Sequence, residues 1–146
     1  MKEHIVIRTV SRGLIPFIQL FALYVVAHGD LSPGGGFQGG VIFGASVILY
    51  VLAFGMPEGR KRISEKMSDI LTSTGVLIFA GIGVMCLFAG GAFLEYNALA
   101  IWSDHPEYAK HHASHLGIYG IEIGVGITVA AVMITIFFET AGHYDD

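Results

Sequence analysis

Charged residues divide this chain into long apolar blocks. Uncharged runs cover Gly13–Gly29, Leu31–Pro57, Ile70–Leu94 and Ile123–Phe138. A bilayer core of roughly 30 Å takes about 20 apolar residues as helix. Two of the runs reach that length outright, and the other two do so once a flanking polar residue is admitted. The pattern predicts four membrane helices, over about 13–27, 40–55, 69–94 and 116–138. The first is short. An earlier start would lengthen it, with Arg8 and Arg12 snorkelling to the interface, and Pro16 suits a first turn better than a helix middle. Alternatively, residues 5–12 lie flat on the membrane surface.

Composition supports the same reading. Apolar residues make up 53% of the chain and charged ones 14%, against roughly 25% charged in ordinary soluble proteins. The expected fold class is an all-α integral membrane protein: one transmembrane domain over 1–146, four helices, and a Gly-rich loop between helices one and two. The segment Gly13–Ala27 has the outline of a secretory signal but is expected to stay as the first span. Lys2, Arg8 and Arg12 precede helix one, and Arg60, Lys61, Arg62 and Lys66 fill the loop between helices two and three. Of the lysines and arginines, only Lys110 falls on the other side. The positive-inside rule then puts both termini in the cytoplasm. Tyr96, Trp102 and Tyr108 suit an interfacial belt on the outer face. "GRKR" at 59–62 also suits a cytoplasmic partner or anionic lipid, although topology accounts for it. The single Cys86 excludes a disulfide or a thiolate metal site, and a net charge of −4 gives no signal for nucleic acid.

The stretch "HGDLSPGGGFQGG", 28–40, is the least ordinary part of the chain. Gly34, Gly36 and Gly39 satisfy G-x-G-x-x-G, but the dinucleotide fingerprint needs a βαβ unit around it. A phosphate loop is equally excluded, since no Lys or Arg occurs between Arg12 and Arg60. Ser32-Pro33 stops a helix, and Gly34, Gly35 and Gly36 permit a positive φ. Two readings remain open. One is a tight turn whose glycines let neighbours pack closely. The other is a helix break near membrane depth that offers backbone to an ion. Asp30 is expected to cap or turn the chain, with cation attraction as the alternative for it and for His28. Gly40 and Gly44 give helix two a small-xxx-small face.

"LSPGGGFQGGVI", preceded by "RTVSR.LIPF....ALYVVAHGD", closely resembles the B subunit of Mrp-type multisubunit cation/proton antiporters. Similar subunits occur in the membrane arms of related membrane-bound hydrogenases and sulfur-reducing complexes. The resemblance is strongest over residues 5–55 and returns at "GIEIGV", 120–125. The His-rich loop 95–115 departs from it, so nothing about that loop is carried over. The resemblance implies an accessory structural and coupling subunit in a prokaryotic cell membrane, partnered by other antiporter subunits, in a module exchanging Na⁺ for H⁺. Proton-pumping channels in that family belong to larger subunits similar to those of respiratory complex I. The matching residues Ser32, Pro33, Gly34, Gly35, Gly36, Phe37, Gln38, Gly39 and Gly40 then have an architectural role. The alternative is the same subunit in a redox-driven complex. A stand-alone homo-oligomeric channel is disfavoured, because one internal acid is too little to line a pore.

That acid is Glu122, about 9 Å into helix four if the helix starts at Leu116. Membrane-embedded acids usually face a bundle interior or cavity. His111, His115, Tyr119 and Glu122 would align on one face of a helix extended by a turn. Such a stripe could admit water, protons or Na⁺. The bland alternative is an interfacial glutamate bonded to a neighbouring subunit. "DHPEYAKHHASH" is read as solvated surface rather than a metal site, despite the i, i+4 spacing of His111 and His115. With no activated nucleophile or valid cofactor motif, no catalytic activity and no cofactor are expected of the chain by itself.

Overall fold

The computed structural model describes residues 5–29, 33–102 and 106–142, with side chains described except at 100–113 and 142. The chain forms α1 (Ile5–Ala27), α2 (Gly36–Phe54), the short α3 (Met56–Arg62), α4 (Glu65–Phe88), a 3-10 segment (Tyr96–Trp102) and α5 (Pro106–Gly142). Four stretches are long and apolar enough to cross a membrane: Ile5–Ala27, Gly36–Phe54, Glu65–Phe88 and Ser114–Ala141. The protein is a helical, multi-pass membrane protein. α5 is central, with α4 on one side and α2 on the other, and α1 packs against α2. An even number of spans puts the start of α1, all of α3 and the end of α5 on one membrane face. The α1–α2 turn and the 3-10 segment share the other.

Helix ends differ from the sequence expectation for identifiable reasons. α1 begins at Ile5, so residues 5–12 continue the first span instead of lying flat, and Pro16 falls inside the helix. Its ring removes one backbone donor there, a defect membrane helices tolerate when neighbours re-satisfy the freed group. α2 starts at Gly36, not at 40, which shortens the glycine-rich loop and turns Gly36, Gly39 and Gly40 into helix surface. α4 starts after Ser64, whose hydroxyl accepts the Met67 amide at 3.3 Å. It stops at Phe88, six residues before the expected end. There Gly90, at φ 86°, donates to the Leu87 carbonyl and Gly91 to that of Cys86, at 3.0 and 3.1 Å. This paired closure of a helix C-terminus needs the left-handed residue that glycine supplies. α3 was expected as loop. Gly55, at φ 97°, bends the chain out of α2, and Pro57 starts the new helix.

Lipid removes most of the hydrophobic drive for helix association, so close contact and buried polar bonds must hold the bundle. A Cβ at Gly75 would overlap the Thr128 side chain and stand 2.5 Å from the Gly124 carbonyl oxygen. α4 and α5 therefore cross backbone to backbone. One turn pair further along, Ser68 Oγ donates to the Ala131 carbonyl at 2.9 Å and lies 2.7 Å from Thr135 Oγ1. Between α2 and α5, Gly40 faces the Gly126 carbonyl and Gly44 faces Ala130 and Met133, so the expected small-residue face is used. Val47, Val51, Ile134 and Phe138 form an apolar cluster below it.

Gly75→Ala should destabilise the protein by about 1–3 kcal/mol through overpacking. Gly81→Ala on the same helix, where a Cβ meets nothing within 4 Å, should be neutral or mildly stabilising. Thermal unfolding of the two variants in detergent checks the contrast.

Candidate functional site

The two features singled out along the chain, the glycine stretch and Glu122, meet in space. Glu122 lies eight residues into the span Ser114–Ala141, roughly 12 Å along the axis. Its side chain is half-buried, and its Oε2 is shielded from solvent. The carboxylate rests on the α1–α2 turn. A Cβ at Gly29 would overlap both carboxylate oxygens, and one at Gly35 would stand 2.8 Å from Oε1 and 3.8 Å from the Gly29 Cα. At Gly36 a Cβ would overlap the Glu122 carbonyl oxygen. Three glycines from the turn thus close around one acid of α5, and any larger residue would push it away.

Local sequence explains this shape. Gly35 is the residue before α2, with extended backbone and no side-chain cap. Where a Ser or Asp cap would normally stand, the turn leaves room for a carboxylate from another helix. The first turn of α2 carries no acidic residue of its own. A helix N-terminus favours a nearby anion through its aligned peptide dipoles, so Glu122 stands where negative charge is electrostatically welcome. Gly39 lets α1 approach: its Cβ would overlap Val26 and stand 2.8 Å from the Ala22 carbonyl. Gly126, four residues after Glu122, faces the Gly36 carbonyl at 3.2 Å from its own would-be Cβ. The acid is therefore held between two close helix approaches, α2 on α5 and α1 on α2.

The other sequence candidates are distributed around this pair. Gly34 is buried, with its would-be Cβ 3.2 Å from Val25, while Phe37 and Gln38 are exposed and Pro33 borders the turn. Asp30 and Ser32 lie outside the described residues, as does the side chain of His111. α5 is one continuous helix from Pro106, so His111, His115, Tyr119 and Glu122 do share a helix of uninterrupted register. His115 is exposed and Tyr119 half-buried. His28 is exposed, and its Nδ1 lies 3.1 Å from the Tyr24 carbonyl, a local contact at the end of α1. Tyr96 packs over Gly117, and burial, with Cys86 nearby as the lesser cause, pushes its phenol above the ordinary tyrosine range. Of the segment "DHPEYAKHHASH", 104–115, weighed as a metal site, Asp104 and His105 and the side chains of Glu107 and His111 lie outside the described residues.

Gly29 was missed as part of the site, although it stands in the stretch that drew attention. The only available signal was its place just after an apolar helix, and that signal also fits an ordinary C-terminal cap.

A four-span helical bundle, with one acid clasped by a glycine turn, defines a small integral membrane protein. The chain belongs to the family described as "Domain related to MnhB subunit of Na+/H+ antiporter", whose model matches residues 6–135. It is 31% identical over 143 residues to a Staphylococcus haemolyticus protein named "Putative antiporter subunit mnhB2", covering 97% of this chain and 98% of that one. A Staphylococcus aureus (strain Newman) protein of the same name is also 31% identical, over 144 residues, with 97% and 98% covered.

Gly29→Ala should weaken the fold modestly, because Glu122 must swing out of its seat. In Gly29→Ala/Glu122→Asp the shortened acid frees space for the new methyl group. The double variant should be more stable than the sum of the single effects by about 0.5–3 kcal/mol. A thermal-unfolding double-mutant cycle measures this; a coupling of zero would separate the two residues.

Proposed function

We propose that this chain is the accessory structural and coupling subunit of a multisubunit Na⁺/H⁺ antiporter, with Glu122 as its ion-responsive group. The observation that carries the reading is the seating of the Glu122 carboxylate against Gly29 and Gly35. It brings a titratable acid of a membrane span against turn backbone that carries no side chain. Carboxylate oxygens are hard donors that an alkali cation accepts, and helix breaks in transporters place ion contacts at membrane depth. A proton and a cation would compete for the same carboxylate, which is the elementary requirement for exchange. His115 and Tyr119 precede Glu122 on the same helix, on the side of the nearer membrane surface, and would supply a polar approach.

Charge bias supports both termini in the cytoplasm of a prokaryotic cell membrane, since Lys110 is the lone Lys or Arg on the opposite side. The approach to Glu122 then starts outside. Family membership supports a home among other antiporter subunits. The exposed apolar surface of α1, including Phe17, Leu20 and Phe21, gives area for lipid or for those neighbours.

Glu122→Gln should lower Na⁺-dependent proton exchange in vesicles containing the intact complex by at least roughly tenfold, the effect of about 1.4 kcal/mol. Subunit assembly should stay unchanged, and Glu122→Asp should be intermediate. Full exchange in Glu122→Gln would remove the acid from the mechanism. Mild detergent extraction tests the assembly: antiporter subunits should accompany the chain, whereas hydrogenase-type subunits would move it to a redox-driven complex.

A further inference from the structure

At the opposite membrane face, away from Glu122, α1 and the α2–α3 corner enclose a cavity of about 680 Å³ lined by Arg8, Arg12 and Arg62. This volume falls within the roughly 300–1,000 Å³ of ordinary ligand sites. The three guanidiniums are fixed from behind. Arg8 Nε donates to the Ala53 carbonyl at 3.1 Å. Arg12 lies over the Phe54 ring at 5.5 Å and Arg62 over the Tyr50 ring at 5.1 Å. The ion pairs among the described residues are Arg60–Glu65 and Lys61–Glu58, both 2.7–2.8 Å long, and neither includes the three cavity arginines. Glu58 borders the cavity, but its carboxylate is already bonded to Lys61, which holds it below the usual carboxylate range. The cavity therefore has a net cationic end.

Its other end is different. From Arg8 the lining runs along α1 through Ile15 and Pro16 to Gln19, with Val47 of α2 opposite. Eleven residues of helix are roughly 16 Å, about half the hydrocarbon thickness. The slot thus begins with arginines and continues between apolar walls to the depth of acyl chains. An acidic peptide would match the first part and leave the second unfilled. An anionic phospholipid has the shape and polarity of both.

We propose that this slot is a binding site for one anionic phospholipid, its phosphate held by Arg8, Arg12 and Arg62 and an acyl chain lying along Ile15, Pro16 and Val47. Planar guanidiniums pair with phosphate oxygens in bidentate fashion, and the ring contacts of Arg12 and Arg62 and the Arg8 bond to Ala53 hold them in place before the lipid arrives. The inference does not depend on the role of Glu122.

Native mass spectrometry of the full chain, with any co-purifying subunits, tests the site by titration with phosphatidylglycerol and phosphatidylethanolamine of matched acyl chains. Phosphatidylglycerol should bind at least roughly tenfold more tightly, from about fivefold per arginine near the surface. Arg12→Gln/Arg62→Gln should abolish that preference, while Arg60→Gln/Lys66→Gln, outside the cavity and leaving the Lys61–Glu58 pair intact, should keep it. If the double variant fails to fold, Arg62→Gln alone, on an exposed side chain, should still lower the preference about fivefold. Inorganic phosphate at millimolar concentration should not displace the lipid, and a photo-crosslinker placed at Gln19 should tether phospholipid. No preference in the native protein, equal loss in the Arg60/Lys66 variant, displacement by phosphate, or crosslinking to a polypeptide would each overturn the assignment.

Discussion

Backbone-to-backbone approach onto α5 is the constraint on which the structure depends. In a bilayer the surroundings are as apolar as the helix faces, so association gains little from burial and much from distance. Gly75 against Gly124, Gly40 against Gly126 and Gly36 against the Glu122 carbonyl all bring main chains closer than any side chain would allow. Such contacts leave little freedom in rotation or register, because a slip of one residue would replace a glycine with a bulky neighbour. The Ser68–Thr135 contact adds a directional restraint at the α4–α5 crossing.

That same closeness creates the site. A carboxylate can rest on a turn only if the turn has no side chains in the way, and Gly29 and Gly35 provide that opening. The arrangement puts an acid beside the start of α2, where the peptide dipoles favour negative charge. Architecture and chemistry are thus not alternatives for the glycine stretch. Packing is what delivers the acid to the backbone, and an ion-responsive role would use a contact that the fold needs anyway.

The two membrane faces have contrasting polarity. One carries the clasped acid and the segment Tyr96–Trp102 that covers α5. The other carries Arg12 and Arg62 over aromatic rings of α2, Arg8 bonded to the Ala53 carbonyl and Arg60 near Phe138 of α5 at 5.9 Å. Cations held over rings keep their charge while covering apolar surface. α3 is important here, since the bend at Gly55 and the start at Pro57 fold the basic run back toward α2 instead of releasing it into solvent.

Much of this was legible along the chain. Uncharged runs bounded by Arg, Asp and Glu determine four spans by themselves, because the cost of charge in hydrocarbon acts residue by residue. Glu122 was visible for the same reason, and the small-xxx-small face of α2 because helical spacing is local. Helix ends were harder. The continuation of α1 through Arg8 and Arg12 depends on where those side chains find partners, at Ala53 and Phe54, and both are distant in sequence. The early stop of α4 was written in Ala89-Gly90-Gly91 but competed with an apolar run that continues to Leu94. Tertiary structure alone decided that the glycine turn closes on Glu122 and that three arginines from two elements share one cavity. Both pair residues about 50 or more positions apart, and no local periodicity encodes which helix lies beside which. Shape complementarity between assembled helices does.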